Sequence, residues 1–502
     1  MMRVHILCLK SGAWSAGLVL GLSLATIVRG AVSFSISPSS ITNDYVGEIT
    51  LTITGLTPGQ TVTVGTYADL NGNGTLDPGE PLVWSIPLTD GQAPMVAGVR
   101  YLGVPGDDDG LANGTIRSVI YIPPTAANVN ANGQSIVKVS DPLGGFSPVT
   151  QPFTVAQKVY PQSVTGRLTL AGTGLPLTNA VVGLASANVS AVTFAKTDAN
   201  GRYTLYCLPG SYVLDAFDPA VGVIFDQTLL FSVACNQVVT NNLALTNGNF
   251  TISGKVTDIS TGAGIAGANV DANTSHNFGA LTFTDTNGNY SLPVTADTWS
   301  IHPTTDTTSQ LGYVPLTRTN VTVTSASVPG VNFALSKATA MIYGTLKDTL
   351  NNPIVGVQMS VRDSGNVYHV DGRSFVTNGS YCLGVLAGTW FPGPISGDLA
   401  ARGLVGGASN VVLSAGQAMN LNFTVTRTSF PYLTNPVHVS SSQFQFLLAG
   451  LAGQSYTIQT ITNVNSTNWL PLLTTNAPCA SVYILDGQAT NGRRFYRALV
   501  VP

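Results

Sequence analysis

One pattern recurs three times and restricts the fold of this chain more than any other feature. Gly166, Gly254 and Gly344 each stand inside a strand-like run: Val-Thr-Gly-Arg-Leu, Ile-Ser-Gly-Lys-Val and Ile-Tyr-Gly-Thr-Leu. The spacings are 88 and 90 residues. Ala180 and Ala268 follow fourteen residues on, and Val357 thirteen on. A second glycine comes at Gly201, Gly288 and Gly379. Asn200, Asn287 or Asn378 precedes it, and Tyr203, Tyr290 or Tyr381 stands two residues later. Eleven residues past that glycine is Tyr212, Trp299 or Trp390. Asn-Gly between alternating runs is a hairpin turn, because both residues tolerate positive φ. A repeat near ninety residues with such turns predicts one small β-sandwich per copy.

Composition agrees with an all-β chain. Of 502 residues only 9% are charged, against about 25% in an average soluble domain. There are 22 Asp but two Glu, Glu48 and Glu80, and only seven Lys. Strong surface helix formers are therefore scarce. With 53 Gly and 28 Pro the chain is rich in turns, and at 44% hydrophobic content it can bury cores. A net charge of -3 gives no electrostatic reason for nucleic acid as a partner. Ahead of the repeats, Ile49, Leu51 and Ile53 alternate with Thr50, Thr52 and Thr54, and Val62 and Val64 continue the period. Residues 31–160 read as an immunoglobulin-like β-sandwich. Arg3 and Lys10 precede an apolar run over 16–28, with Gly30 and Ala31 behind it. Residues 1–30 read as a secretory signal peptide, with an uncleaved anchor as the alternative. No later stretch is expected to span a membrane.

The repeat residues resemble a known family. Gly166, the stretch 176–182, Thr197-Asp198-Ala199-Asn200-Gly201-Arg202-Tyr203 and Leu208-Pro209-Gly210-Ser211-Tyr212 are similar to the carboxypeptidase regulatory-like domain. The second copy keeps Thr284-Asp285-Thr286-Asn287-Gly288-Asn289-Tyr290, and the third keeps Thr377-Asn378-Gly379-Ser380-Tyr381. The resemblance implies transthyretin-like, starch-binding-like sandwiches at 163–247, 250–338 and 340–428. These motifs are turn and core residues, so they specify fold and say little of activity. At 430–502, Tyr456-Thr457-Ile458-Gln459, Asn468-Trp469 and Arg494-Phe495-Tyr496-Arg497 resemble the C-terminal β module of many large secreted bacterial proteins.

The strongest chemical motif runs from Asp69 to Glu80: Asp-Leu-Asn-Gly-Asn-Gly-Thr-Leu-Asp-Pro-Gly-Glu. It matches a twelve-residue calcium loop, with Asp69, Asn71, Asn73, Asp77 and Glu80 at positions 1, 3, 5, 9 and 12. Thr75 at position 7 would offer its carbonyl, and Gly74 at position 6 allows the sharp turn. One of only two glutamates in the chain falls where a bidentate ligand belongs. The flanks read as strands rather than helices, so the expectation is a Ca2+ loop on a β-hairpin. Asp107, Asp108 and Asp109 form a second acidic loop, read as solvated. Asp198 and Asp285 lack a later carboxylate and read as turn residues. Trp299 and Trp390 could stack on sugar, but their alignment with Tyr212 favours core packing. Arg493, Arg494 and Arg497 read as a solvated strand end.

No catalytic constellation assembles. No His stands three residues before either Glu, which removes the zinc carboxypeptidase and His-Glu-x-x-His motifs. No Gly-x-Ser-x-Gly elbow occurs. His276, His302, His369 and His438 have no ligand-like spacing. Tyr203, Leu205 and Cys207 share one strand face, and Phe231, Val233 and Cys235 another, which predicts a Cys207–Cys235 disulfide in a secreted chain. Cys382 is offset from Tyr381 and Leu383 and is expected to point outward; the pairing of Cys479 stays open. Asn188, Asn320 and Asn422 lie in glycosylation sequons. The functional expectation is a secreted, non-enzymatic structural or adhesion-type protein at the cell surface, built as five domains in a row. The alternative is a carbohydrate-binding accessory protein of an extracellular polysaccharide system, and a third reading is a hydrolase using Asp pairs. The partners implied are an extracellular polysaccharide or a cell-surface protein.

Overall fold

The computed structural model describes residues 31–120, 133–186, 193–218, 223–226, 230–375, 378–428, 431–490 and 493–501. The predicted signal peptide, Asn188 and Thr377 lie outside them. The described residues form 42 strands and two six-residue helices, Thr305–Gln310 and Ser396–Ala401. The fold is all-β, in tandem sandwiches.

In the first segment, strands Ser33–Ser37, Ile49–Thr54 and Ile116–Ile120 make one sheet. The other runs Ser40–Thr42, Val149–Ala156, Gly133–Ser140, Thr61–Ala68, Leu82–Thr89. Ser40–Thr42 pairs in parallel with Val149–Ala156, and the remaining ladders are antiparallel. The alternation read from the sequence is the packing: Ile49, Leu51 and Ile53 are buried and pack with Val62 and Val64 between the sheets. This is the two-sheet arrangement of an immunoglobulin-like sandwich.

The three repeats share one topology, and its signature residues explain each other. In each, the first strand (Ser163–Leu170, Phe250–Asp258, Ala340–Asp348) pairs in parallel with the last (Leu243–Asn247, Phe333–Lys337, Phe423–Arg427). Gly166, Gly254 and Gly344 sit where that last segment crosses closest. A Cβ would fall 1.7 Å from the Asn241 carbonyl oxygen, 1.8 Å from that of Val331 and 1.9 Å from that of Leu421. The same three carbonyls accept the hydroxyls of Tyr203, Tyr290 and Tyr381, at 2.5, 2.6 and 2.6 Å. The glycine makes room for a carbonyl, and the tyrosine satisfies it. Tyr212, Trp299 and Trp390 also act alike: each is buried and donates to a carbonyl four residues earlier, Leu208, Thr295 and Leu386. Ala180, Ala268 and Val357 donate their N–H groups to the hydroxyls of Thr197, Thr284 and Ser374. Tyr290→Phe is expected to cost about 1–2 kcal/mol by leaving the Val331 carbonyl unsatisfied. Urea unfolding at equilibrium measures it, and an unchanged midpoint would refute the lock.

The expected row of separate domains is corrected. The first sandwich touches all three repeats. Ala68 and Val83 share a cluster with Val181, Phe194 and Phe217 of repeat one and Leu281 of repeat two. A Cβ on Gly267 of repeat two would lie 2.6 Å from Trp84 Cα. Met341 and Cys382 of repeat three are buried in the first sandwich's own cluster. The strand Val223–Asp226 of repeat one also pairs with Phe278–Phe283 of repeat two, so one nine-stranded sheet runs through both.

The last segment packs two three-stranded sheets around Phe446, Leu448, Tyr456, Ile458 and Ile484. It returns to repeat one through a Cys235–Cys479 disulfide, Cα–Cα 5.8 Å. The expected Cys207–Cys235 bond is thus corrected: Cys207 is a buried free thiol in the core of repeat one. The strand Phe231–Val233 ends before Cys235, which lies exposed in the following turn. Strand alternation therefore does not extend to it. Cys382 does leave the core face of its own sheet, but it meets the first sandwich instead of solvent. Its Sγ accepts the Leu102 N–H at 3.0 Å. Burial pushes its thiol up to about 11.

Candidate functional site

The loop between strands Thr61–Ala68 and Leu82–Thr89 holds the six candidate ligands. It starts fully buried at Asp69 and rises to solvent at Asn71 and Asn73. Asp69 organises the turn: Oδ1 accepts the Gly72 N–H at 2.6 Å and Oδ2 the Gly74 N–H at 2.8 Å. Those glycines have φ of 71° and 78°, which other residues rarely adopt. Asn71 Oδ1 accepts from the Asn73 N–H, and Asn73 Oδ1 from the Thr75 N–H and hydroxyl. The two amide nitrogens converge on Asp77 Oδ2, at 2.7 and 2.6 Å. Glu80 folds back over the loop, with Oε1 on the Leu70 N–H at 3.0 Å and Oε2 on the Asp77 N–H at 2.9 Å. Lys196 of repeat one donates to the Asp69 carbonyl. Burial pushes its pKa down, and the Asp69 and Glu80 carboxylates pull it back up.

The donor set fits a hard cation: every side chain named offers oxygen, and three carry charge. The three carboxylates do not meet at one point as they stand. Among the described residues no group of three or more His, Cys, Asp or Glu side chains is placed to hold a metal ion.

The second acidic loop is not solvated as expected. Asp107 is buried and accepts the Gly91 N–H (2.7 Å) and the Arg117 N–H (3.1 Å). Burial raises its pKa, against the pull of those bonds. Asp108 pairs with Arg100 at 2.8 Å and accepts the Val119 N–H. Asp109 turns to Leu111 and Asn113. The three point to three different partners and share no centre. Asp198 and Asp285 are turn residues: Asp198 Oδ1 accepts from Asn200 and Arg202, and Asp285 Oδ1 from Asn287 and Asn289. The basic strand end is also corrected in part. Arg494 is an internal tie to Asp486, at 3.2 Å, and Arg497 stacks over Trp469 at 4.4 Å.

The histidines hold a feature that sequence spacing missed. His276, His302 and His369 each lie beside an aspartate: Asp297 at 2.9 Å, Asp271 at 2.8 Å and Asp371 at 3.0 Å. His369 and Asp371 stand two apart on one strand, so a shared face was visible in the sequence. Ser360 Oγ lies 2.8 Å from His369 Nε2. This Ser-His-Asp group is not a catalytic triad. Serine and aspartate both contact Nε2, whereas proton relay needs them on opposite ring nitrogens. Asp371 also accepts the Thr305 hydroxyl of repeat two at 2.7 Å, so the group ties repeat three to repeat two.

Residues 251–336, the second repeat, match the family model of the carboxypeptidase regulatory-like domain. No curated protein matches the chain. Among solved structures, the Bacillus anthracis TIE protein is similar over 79% of this chain and 75% of its own, at 13% identity and a TM-score of 0.17. BcpA, the major pilin subunit of Bacillus cereus, is similar over 53% of this chain and 99% of its own, at 14% identity and a TM-score of 0.15. A streptococcal ancillary pilin is similar over 52% and 98%, at 12% identity and a TM-score of 0.19. At these values the likeness says nothing of what this chain binds or does. No helix among the described residues is long and apolar enough to cross a membrane.

Proposed function

We propose that the chain is a secreted, non-enzymatic structural or adhesion-type protein of the cell exterior, whose first sandwich is stabilised by calcium. The observation that carries the structural role is how the repeat's signature residues are used. Gly254, Tyr290, Trp299 and Thr284, with their counterparts, all hold backbone to backbone inside a sandwich. The first sandwich and the Cys235–Cys479 bond then brace the units against one another. A disulfide suits an oxidising compartment outside the cytosol. Trp299 and Trp390 are buried, so neither offers a ring to a polysaccharide. Turnover assays on peptide, ester and polysaccharide substrates should be blank. Activity that is lost on mutating an aspartate would overturn the non-enzymatic reading.

Calcium rests on the Asp69–Glu80 loop. Rotating the Asn71 and Asn73 amides would turn their oxygens toward Asp77 Oδ2, where the nitrogens now donate. Asp69, Asn71, Asn73, Asp77 and Glu80 would then present side-chain oxygens, and Thr75 its carbonyl. The ion would neutralise carboxylates that are otherwise offset by Lys196 alone among the cations in contact with the loop. With three carboxylates the affinity expected is extracellular in type, on the order of 10⁻⁴ M. At about 1 mM calcium that stabilises the folded state by roughly 1.4 kcal/mol. Chelation should therefore lower the first melting transition, and Glu80→Gln should abolish the difference between calcium and chelator. Identical calorimetric traces with and without chelator would end the calcium reading and leave the structural one standing.

A further inference from the structure

Repeats one and two meet over a face where the charges are incompletely matched. Asp215 lies on strand Gly210–Phe217 of repeat one. Side chains two apart on a strand share a face, so Asp215 is directed to the side from which Phe217 packs against Phe283 of repeat two, ring centroids 6.5 Å apart. The two repeats are joined beside it by the pairing of Val223–Asp226 with Phe278–Phe283. Asp215 Oδ1 is closed off from solvent and has no hydrogen-bond partner. From its own sheet, uncharged Gly183 stands directly opposite, with the Phe194 ring over it. From repeat two it feels the charge of Asp271, on strand Asn269–Asn273.

Asp271 is already committed. Its Oδ1 lies 2.8 Å from His302 Nε2, outside hydrogen-bond geometry, and its Oδ2 accepts from Arg318 at 2.9 Å. Burial works against its charge, but His302 and then Arg318 hold its pKa below the usual range. A lone carboxylate of repeat one thus faces a carboxylate of repeat two whose charge is already answered. The joint between repeats two and three is built otherwise. There the buried Asp371 receives a hydroxyl from across, Thr305, and has His369 beside it.

We propose that Asp215 and Asp271 form a proton-operated joint between repeats one and two, closed when Asp215 takes a proton from solvent and loosened when it gives it up. Neutral, the Asp215 hydroxyl can donate to the Asp271 carboxylate. Charged, the two repel across a contact that excludes water. Burial first, and Asp271 second, raise the Asp215 pKa from 3.8 to about 6. A carboxyl whose folded pKa is raised gains stability as pH falls. The gain begins as pH drops through about 6. It is complete below the ordinary carboxylate range, near 4, where the unfolded chain is protonated too.

Hydrogen–deuterium exchange on the full chain, corrected for intrinsic rates, tests this at Val223–Asp226 and Phe278–Phe283. Wild type should open about tenfold more often at pH 7.5 than at pH 5, within the roughly hundredfold that the raised titration allows. Asp215→Asn keeps a donor without the charge, and should be protected equally at both pH values. Asp271→Asn removes the facing charge and should shrink the pH difference. Wild-type protection that does not change with pH would overturn the proposal. So would a pH difference that survives in Asp215→Asn, which would assign it to another group such as His302.

Discussion

Gly254→Ala is expected to destabilise the second repeat by about 3–5 kcal/mol, well beyond the loss for a typical substitution. The cause is space rather than backbone conformation. Gly288 needs its φ of 80°, but Gly254 is not among the positive-φ glycines. A Cβ at Gly254 would lie 1.8 Å from the Val331 oxygen, 2.5 Å from its carbonyl carbon and 3.1 Å from its nitrogen. These are backbone atoms and cannot swing aside as the end of a side chain could. Moving them breaks the Tyr290 hydroxyl bond to the same carbonyl and strains the parallel pairing of Val256 with Phe333. The loss should far exceed that of Tyr290→Phe, which removes the bond without the clash. Alanine at Gly166 or Gly344 should act alike, because the same approach occurs there at 1.7 and 1.9 Å. Urea unfolding of the full chain, with fluorescence from Trp299, reports it. An unshifted midpoint in Gly254→Ala would mean that the glycine is not fixed by the carbonyl.

This lock also explains why the repeats were legible in the sequence. Gly254, Tyr290 and Trp299 lie far apart along the chain, yet each serves a local requirement that only its residue type meets. A carbonyl must pass close, a hydroxyl must reach it, and an indole must fill a core and still place its N–H. Such requirements leave the same residues at the same spacing in each copy. The turn role of Asp285 was legible for a similar reason, since its partners lie within four residues. The contacts between units were not legible. Ala68, Val83, Phe217 and Leu281 read as ordinary strand residues, and nothing in their period reveals that another sandwich covers them. Cys382 shows the limit well. Its offset correctly took it out of the core of repeat three, but period two cannot distinguish solvent from the Leu102 N–H of a distant segment. The loop from Asp69 to Glu80 is intermediate. Its backbone turns follow from the glycines, while the aim of the Asn71 and Asn73 amides depends on what fills the loop.

Removing the Cys235–Cys479 bond should be the most damaging change outside the repeat cores. The bond closes a loop of 244 residues, and chain-entropy reasoning gives roughly 5 kcal/mol for a loop of that length, as an upper bound. It restrains every residue between repeat one and the last module, including all of repeats two and three. Without it, the module is tied to repeat one by Gln162, which donates to the Cys207 and Pro478 carbonyls, and by the packing of Leu208 around Gly453. Those contacts cross the interface without a covalent tether. Cys479→Ser should therefore lower the melting temperature and expose the module to protease, with repeat one still folded around its own core. Cys207 is not expected to rescue the bond. Burial pushes its thiol up to about 11, so little thiolate forms to attack another sulfur. Peptide mapping of the unreduced chain gives the decisive reading. A Cys235–Cys479 peptide is expected, with Cys207 and Cys382 alkylated only after unfolding. A Cys207–Cys235 peptide, or a Cys479→Ser protein as stable and protease-resistant as wild type, would show that the last module is not held to repeat one in this way.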